Sequence, residues 1–241
     1  MNMSLDRTVS SNLQLRLRDG AVEVWTARID DERLNARYET LLDEDERARA
    51  GRFAFERDRI RFIQSHGVTR LILGEVLQVQ ASELKFSRGP WGKPRLEMTS
   101  SHVVPEFSLS HSGDYCALAI GRSAVGIDIE KIRDVPQMNE IAQRHFAPAE
   151  FQQITALAGI DRQAAFFASW TRKEAVAKAL GFGLGLDAEN QSAMGRTKLD
   201  PVATVQLHSP SGYAAAIAYL ASSIKVNELT YSFKDALAPR E

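Results

Sequence analysis

The stretch from Phe107 to Glu130, FSLSHSGDYCALAIGRSAVGIDIE, constrains the fold of this chain more than any other. Its apolar runs predict two or three buried β-strands separated by short turns. The last strand ends in Asp128-Ile129-Glu130, and a spacing of i and i+2 puts both carboxylates on one face of a strand. Neighbouring carboxylates repel each other unless a cation lies between them, so the pair indicates a divalent metal. A solvated acidic edge of a sheet is the alternative that this pair alone leaves open.

The composition is that of a globular protein with balanced charge. The 241 residues suit one large domain or two of about half that size, and 44% of them are hydrophobic. The 30 basic residues nearly cancel the 31 acidic ones, so we expect no general affinity for nucleic acid. The single cysteine, Cys116, lies in an apolar run and is predicted to be a small buried side chain.

The sequence shows no targeting or membrane segment. Its first 20 residues contain no apolar core of a secretory signal. No segment approaches the roughly 18 apolar residues needed to span a bilayer. We therefore expect a cytoplasmic protein that does not act at a membrane.

Hydrophobic periodicity predicts that helices and strands both contribute to each half of the chain. In the first half we expect a strand over 21–27, helices over 41–50 and 57–79, and short strands over 85–87 and 95–97. In the second half we expect helices over 137–158 and 162–180, and strands near 202–207, 213–219 and 229–233. Both halves run from helix to strands, which is compatible with an internal duplication whose seam falls near 122–125.

A second motif lies on the predicted helix over 162–180. Trp170, Glu174 and Lys178 are spaced i, i+4 and i+8, so they share one side of that helix. A surface helix with a modest ion pair would show the same stripe. Apolar neighbours indicate instead that part of the helix is buried, where a glutamate is costly unless it is paired or binds a metal. Three glycines within 181–185 follow and let the backbone approach a ligand closely, without the lysine and hydroxyl of a P-loop.

Cationic side chains come earlier in the chain than these two motifs. Six arginines fall within 47–61, and Arg70 and Lys93 follow them. A solvated helix face is one interpretation, and a patch for phosphate groups is the other.

Ser110 and His111 are neighbours in a predicted strand, so their side chains diverge and a catalytic dyad is disfavoured. A contact of His111 with phosphate is favoured, and a structural histidine bonded to backbone is the alternative. Together with the acids, these residues predict a phosphate-rich ligand bound through a hard metal such as Mg²⁺. Phosphoryl transfer or pyrophosphate cleavage is the chemistry expected of such a site.

The chain resembles the 4′-phosphopantetheinyl transferases, in the larger monomeric class that activates peptide and polyketide synthases. The matching motifs are RLILGEVL (70–77), GKP (92–94), FSLSHS (107–112), GIDIE (126–130) and WTRKEAVAKALGFGL (170–184). These motifs span most of the chain, whereas its two ends carry none.

The resemblance implies an α+β fold in which two similar α/β halves, 1–124 and 125–241, are related by a pseudo-twofold duplication. The active site would lie in the cleft between the halves. It also implies the reaction, a Mg²⁺-dependent transfer of the 4′-phosphopantetheine arm from coenzyme A to a serine of an apo carrier protein, acyl or peptidyl. The reaction would release 3′,5′-ADP, and the enzyme would act as a monomer.

The resemblance also assigns roles to individual residues. Asp128, Glu130 and Glu174 would hold Mg²⁺ against the pyrophosphate. Lys178 would neutralise charge on the transferring or leaving phosphate, and Glu174 would take the proton of the carrier serine. The residues implied as contacts to coenzyme A are Arg49, Arg70, Lys93, Ser110, His111 and Lys173. The chain departs from some relatives in carrying arginines, with Glu46 among them, where those relatives have lysines.

Two other functions remain open at this point. The chain could be a coenzyme A-binding module that has lost turnover, although four intact site residues (Asp128, Glu130, Glu174 and Lys178) argue against that. It could also be a Mg²⁺-dependent phosphohydrolase that cleaves the same pyrophosphate with water. Dependence of product formation on a carrier protein separates the transferase from the hydrolase.

Overall fold

The computed structural model describes residues 21–97, 104–181, 202–220 and 225–231. Over these ranges the strands are β1 Ala21–Arg28, β2 Lys85–Arg88, β3 Pro94–Glu97, β4 Glu106–Ser112, β5 Tyr115–Gly121, β6 Val125–Lys131, β7 Val202–Gln206, β8 Tyr213–Leu220 and β9 Lys225–Tyr231. The helices are α1 Asn35–Leu41, α2 Glu44–Ala50, α3 Glu56–Leu77, α4 Met138–His145, α5 Pro148–Thr155 and α6 Gly159–Leu180. The mixed helix and strand content confirms the α+β prediction.

Two predicted helices have different bounds in the structure. The helix expected over 41–50 begins only at Glu44, because Asp43 and Glu46 form a capping box that starts α2, and α1 before it was not predicted. The helix expected over 137–158 is interrupted at Phe146 and Ala147, which are extended, and Pro148 then starts α5. The glycine-rich prediction over 182–185 lies outside the described residues.

The strands form three sheets. One sheet has the order β4-β5-β1-β9, a second has the order β6-β8-β7, and β2 and β3 form a separate hairpin. β4 and β5 are joined by a tight turn in which Gly113 has a φ of 56°, a conformation that glycine adopts without strain. The chain then crosses from β5 to β6, which starts the three-stranded sheet.

The two larger sheets share a hydrophobic cluster, and a long helix covers the other face of each sheet. In β5, Cys116, Leu118 and Ile120 pack with α3, whereas Ala117 and Ala119 pack with the three-stranded sheet. This alternation follows from the two-residue period of a strand. The layers are therefore α3, the four-stranded sheet, the three-stranded sheet and α6.

Strand β6 presents its two faces to different partners. Val125, Ile127 and Ile129 belong to the cluster between the sheets. The alternate residues, Gly126 first among them, face α6. A Cβ on Gly126 would lie 2.0 Å from the carbonyl oxygen of Ala175 on α6, so the helix backbone touches the strand here. Only glycine permits this approach.

Replacing Gly126 with alanine is expected to lower the free energy of unfolding by at least about 2 kcal/mol, because the new methyl group collides with backbone that cannot rotate away. Denaturant unfolding would measure the loss. Gly51→Ala is the matched control, since its added Cβ would meet nothing closer than 3.6 Å and its φ is −67°. A Gly126→Ala protein as stable as the Gly51→Ala control would contradict the close contact of α6 with β6 at Gly126.

Cys116 is buried, as predicted, and burial raises the pKa of its thiol to about 12. The thiol therefore stays protonated at neutral pH and fills the core as a small apolar group. Within the described ranges, none of the helices combines the length and the apolar character required to cross a membrane.

Candidate active site

A row of serines on β4 bridges the two larger sheets. Ser108, Ser110 and Ser112 alternate along β4, so all three face the same side. The hydroxyl of Ser108 accepts a hydrogen bond from the backbone N–H of Ile127 at 3.2 Å. The hydroxyl of Ser112 accepts one from the backbone N–H of Lys131 at 3.1 Å. Serine hydroxyls therefore link β4 to β6 although the strands belong to different sheets.

Asp128 is the centre of the site. Its carboxylate oxygen Oδ1 accepts hydrogen bonds from the Ser110 hydroxyl at 2.8 Å and from the Lys178 ammonium at 2.7 Å. The Lys178 ammonium also donates to the Ser110 hydroxyl at 2.9 Å, which closes a triangle. Asp128 is 4% exposed, so this ion pair lies in a poorly solvated place.

The second oxygen of Asp128, Oδ2, is buried and makes no hydrogen bond with the part of the chain that the structure describes. A buried carboxylate oxygen without a partner is costly, and a bound cation would remove that cost. Asp128 therefore fits the role of a metal ligand predicted for it.

Glu130 and Glu174 lie near Asp128 but are held differently. Glu130 follows on the same face of β6, and its Oε2 accepts hydrogen bonds from the Ser112 hydroxyl at 2.7 Å and from Arg133 at 3.2 Å. Glu174 is 9% exposed, and burial together with the negative charges of Asp128 and Glu130 raises its pKa, against the opposing effect of Lys178. A divalent cation among these oxygens would relieve the repulsion.

The donors are nonetheless not gathered into a ready metal site. Over residues 21–97, 104–181, 202–220 and 225–231, no three aspartate, glutamate, histidine or cysteine side chains are close enough together to ligate an ion. The set of Asp128, Glu130 and Glu174 suits Mg²⁺ in its chemistry, because Mg²⁺ takes few carboxylates and completes its shell with water and phosphate oxygens. The Mg²⁺ prediction therefore stays a proposal.

His111 and Ser110 diverge from β4, as strand alternation predicted. Ser110 is buried against Asp128, whereas more than a third of the His111 surface is exposed. Although part of His111 is open to solvent, protein atoms crowd its imidazole. This desolvation, together with the positive charges of His66, Lys178 and Arg61, lowers the pKa of His111 to about 4. The imidazole is therefore neutral in the free protein at pH 7.

Lys93 does not project freely from its turn. Its ammonium donates to the backbone carbonyl of Val125 at 2.8 Å and to that of Lys178 at 3.0 Å. Burial is the main cause that lowers the pKa of Lys93, and the nearby Lys178 adds to the effect.

Arg70 lies in the core of the first half. The guanidinium is fully buried and donates to Glu46 at 2.6 Å, to the carbonyl of Leu84 at 2.9 Å and also to Asp43 and the carbonyl of Ala81. Removing such a donor from its paired carboxylates would be strongly destabilising. The placement indicates a structural role for Arg70 in place of the predicted contact to coenzyme A.

Arg49 and Lys173 are half-exposed and lie over aromatic rings. The Arg49 guanidinium is 5.1 Å from the centroid of the Phe62 ring, and the Lys173 ammonium is 5.5 Å from that of Phe146. Lys173 precedes Glu174 by one residue, so it leaves α6 about 100° away from the side that faces Asp128. The structure does not bring Lys173 to the Asp128 cluster.

A cavity of about 250 Å³ lies in the first half, and no local sequence pattern marked it. It is lined by Asp43, Asp45, Glu46, His66, Thr69, Phe86, Ser87, Arg88, Pro94, Phe107 and Leu109. The wall combines apolar rings with carboxylates, an imidazole and a guanidinium, which suits a flat polar ring such as a nucleobase. Its members come from five separate segments, so only the fold could show them together.

Comparison with known protein families gives two matches that together cover most of the chain. The model for the 4′-phosphopantetheinyl transferase superfamily matches residues 124–218. The model for the N-terminal region of 4′-phosphopantetheinyl transferases matches residues 26–123.

Comparison with individual proteins points the same way. The 4′-phosphopantetheinyl transferase HetI of Nostoc sp. (strain PCC 7120) is 33% identical over 186 residues, which is 76% of this chain and 78% of that protein. The 4′-phosphopantetheinyl transferase Sfp of Bacillus subtilis is 29% identical over 180 residues, which is 73% of this chain and 77% of that protein. A relative from Synechocystis sp. is 34% identical over 148 residues, which is 61% of this chain but only 60% of that protein's length.

Proposed function

We infer the reaction from one premise, that this chain belongs to the 4′-phosphopantetheinyl transferase family and is an enzyme of that kind. We propose that it moves the 4′-phosphopantetheine arm of coenzyme A to a serine of an apo carrier protein and releases 3′,5′-ADP. The observation that carries the proposal is the Asp128 cluster, where one carboxylate oxygen holds Lys178 and Ser110 and the other is buried without a partner among the described residues.

The layer order supports the finer fold proposal, a pseudo-twofold relation between residues 1–124 and 125–241 with the site in the cleft between them. Among the described residues, a 22-residue helix covers the outer face of each larger sheet, α3 on the four-stranded sheet and α6 on the three-stranded one. The halves also exchange a strand, since β9 of the second half pairs with β1 in the four-stranded sheet. Each helix is followed by a left-handed residue, Gln78 or Gly181. The serines of β4 and the acids of β6 meet where the two sheets approach each other.

We propose that Asp128, Glu130 and Glu174 hold Mg²⁺, with Oδ2 of Asp128 as the central donor. When bound, Mg²⁺ supplies positive charge that neutralises the pyrophosphate of coenzyme A. Lys178 supplies a second, fixed positive charge, because Asp128 and Ser110 already hold its ammonium in place. A charge that is oriented before the reaction stabilises the leaving phosphate without reorganisation in the transition state.

Glu174 is proposed to accept the proton of the carrier serine hydroxyl as that oxygen attacks the phosphorus. The base role is supported by the position of Glu174, a buried carboxylate close enough to Asp128 and Glu130 for their charges to raise its pKa in the metal-free protein. The bridging oxygen of the pyrophosphate leaves with 3′,5′-ADP. Ser110 contributes by orienting Lys178 and Asp128.

The nucleotide of coenzyme A is proposed to lie along the first half. The cavity with Arg88 and His66 in its wall has room for the base, and the exposed His111 is proposed to contact the 3′-phosphate. Arg49 and Lys173 remain proposed contacts to outlying phosphate groups, through exposed parts of their side chains. The expected monomer and the expected cytoplasmic location stay predictions.

Coenzyme A binding is expected to protonate His111. Its pKa is about 4 in the free protein, and a phosphate dianion beside it raises that pKa, so binding near pH 6 should take up about half a proton or more. Calorimetry in buffers of different ionisation enthalpy measures the uptake. His111→Asn should reduce it and His208→Asn, which changes a fully exposed histidine, should not. Equal uptake in both variants would place the 3′-phosphate elsewhere.

Release of 3′,5′-ADP separates the proposed transferase from the alternatives. With coenzyme A and Mg²⁺ present, release should require an apo carrier protein and should stop when the acceptor serine of that carrier is changed to alanine. Release without a carrier would indicate a phosphohydrolase. Binding of coenzyme A without release, across carriers from several pathways, would indicate a binding module that has lost turnover.

A further inference from the structure

Lys93 connects two elements of the second half from a turn in the first half. The turn lies between β2 and β3, where Gly92 has a φ of 81°. Val125, whose carbonyl accepts from the Lys93 ammonium at 2.8 Å, is the first residue of β6. Lys178, whose carbonyl accepts at 3.0 Å, is in the last turn of α6. One ammonium therefore joins the start of the strand to the end of the helix.

The position of this bridge is favourable for a cation. The carbonyl groups at the C-terminal end of a helix carry partial negative charge and lack partners within the helix. Gly126, the residue after Val125, is the place where the backbone of α6 touches β6. Lys93 therefore fixes the helix and the strand to each other next to the contact at Gly126.

Asp128 and Lys178 of the active site lie next to the contact between β6 and α6. Asp128 is two residues after Gly126 on the same face of β6, and the Lys178 side chain leaves the same residue whose carbonyl Lys93 holds. Their ammonium and carboxylate meet at 2.7 Å. A rotation of the last turn of α6 would move the Lys178 ammonium relative to Asp128, because Lys178 lies in the turn that Lys93 holds on β6.

We propose that Lys93 is a positioning residue that holds the last turn of α6 on β6 and so keeps the Lys178 ammonium on Asp128. Lys93 acts through these two groups and does not bind a phosphate of coenzyme A. The proposal rests on the proposed transferase function, because the geometry it protects is that of the reacting groups. It also replaces the phosphate contact predicted for Lys93 from the sequence.

The hydrogen bonds of Lys93 argue against a role as a phosphate ligand. Two of its three N–H donors are already used by carbonyl groups in a place where the side chain is only partly exposed. Moving the ammonium to a phosphate would break both hydrogen bonds, and the carbonyl of Lys178 would keep only the one that it accepts from the N–H of Gly181 at 3.2 Å. A phosphate contact of Lys93 would therefore have to replace the bridge between β6 and α6.

Three variants test the proposal. Lys93→Met removes the charge and the donors but keeps the length of the side chain, and Lys93→Arg keeps a cation that can still donate to both carbonyls. Lys85→Met, an exposed lysine on β2 of the same hairpin, is the matched control. The measurements are kcat and the Kd of coenzyme A for each protein, with amide hydrogen exchange in the last turn of α6 as a readout that does not depend on turnover.

Positioning by Lys93 predicts a split between kcat and Kd. Lys93→Met should lower kcat at least about tenfold, because a displacement of about 1 Å at a reacting group can cost two orders of magnitude, while Kd changes less than about threefold. Exchange at Ala177 to Gly181 should become at least about tenfold faster. Lys93→Arg should recover most of kcat, and Lys85→Met should match the wild type.

A phosphate contact predicts the opposite pattern and would overturn the proposal. In that case Lys93→Met would weaken coenzyme A binding tenfold or more, with unchanged kcat at saturation and unchanged exchange in α6. Unchanged kcat, Kd and exchange would overturn it as well. Failure of the transferase function itself would be recognised separately, since the wild-type protein would then show no turnover, while the exchange experiment still reports on the bridge.

Discussion

Replacing Asp128 with asparagine is expected to lower kcat/KM for carrier modification by about a thousandfold, because asparagine keeps the shape of the side chain and loses its charge. One amide atom must face the Lys178 ammonium at the position of Oδ1, and the other must occupy the buried position of Oδ2. Whichever way the amide turns, its NH₂ group faces a cation, either Lys178 or the proposed Mg²⁺. The variant therefore loses either the orientation of Lys178 or the central metal donor.

Steady-state kinetics with coenzyme A and an apo carrier measure this loss. Asp161→Asn, at an exposed position in the first turn of α6, is the matched control and should keep turnover close to that of the wild type. The Asp128→Asn protein should remain folded, since Lys178 is 25% exposed at its side chain and can turn toward water. Turnover within tenfold of the wild type, with the same need for Mg²⁺, would remove Asp128 from the centre of the site.

Replacing Glu174 with glutamine is expected to lower turnover by about a hundredfold or more and to stabilise the metal-free protein. Burial and the charges of Asp128 and Glu130 raise the pKa of Glu174, so its ionised form is less favourable in the folded state than in the unfolded one. Stability therefore falls as the pH rises from the unfolded pKa through the folded one. Glutamine removes that cost, so at pH 7 we expect the metal-free variant to melt at a higher temperature than the metal-free wild type.

Turnover is expected to fall while stability is expected to rise, so this variant separates loss of function at Glu174 from damage to the fold. Thermal melting in EDTA should show the gain at pH 7, and the difference from the wild type should shrink as the pH falls and Glu174 becomes protonated in both states. Mg²⁺ should raise the melting temperature of the wild type more than that of the variant. Glu150→Gln, at a half-exposed glutamate on α5, is the control for loss of a carboxylate. Full turnover of Glu174→Gln would refute both its metal role and its base role.

The parts of the site that follow from local periodicity could be predicted from the sequence. Asp128 and Glu130 share a face of β6 because a strand has a period of two, and Glu174 and Lys178 share a side of α6 because they are four residues apart. The starts of α2 and α5 also had visible signals in the sequence, since Asp43 with Glu46 forms a capping box and Pro148 favours the first turn of a helix.

The remaining parts depend on contacts that join distant segments. The carbonyl partners of Lys93 are 32 and 85 residues away in the sequence, and backbone carbonyls carry no sequence signal. Arg70 finds its carboxylate partners 24 and 27 residues upstream, so a cationic residue that suggested a ligand contact is instead part of the core. The residue types predict that Lys93 and Arg70 are positively charged, but only the fold decides which groups accept their hydrogen bonds.

The most direct test of the account is the intact mass of an apo carrier protein after incubation with this chain, coenzyme A and Mg²⁺. We expect the carrier to gain about 340 Da, the mass of one phosphopantetheine arm on its serine, and to gain nothing when EDTA is present. With Asp128→Asn in place of the wild type, the same gain should appear about a thousandfold more slowly. Carriers from several pathways that all stay unmodified, while the wild-type chain still binds coenzyme A, would contradict the proposed reaction.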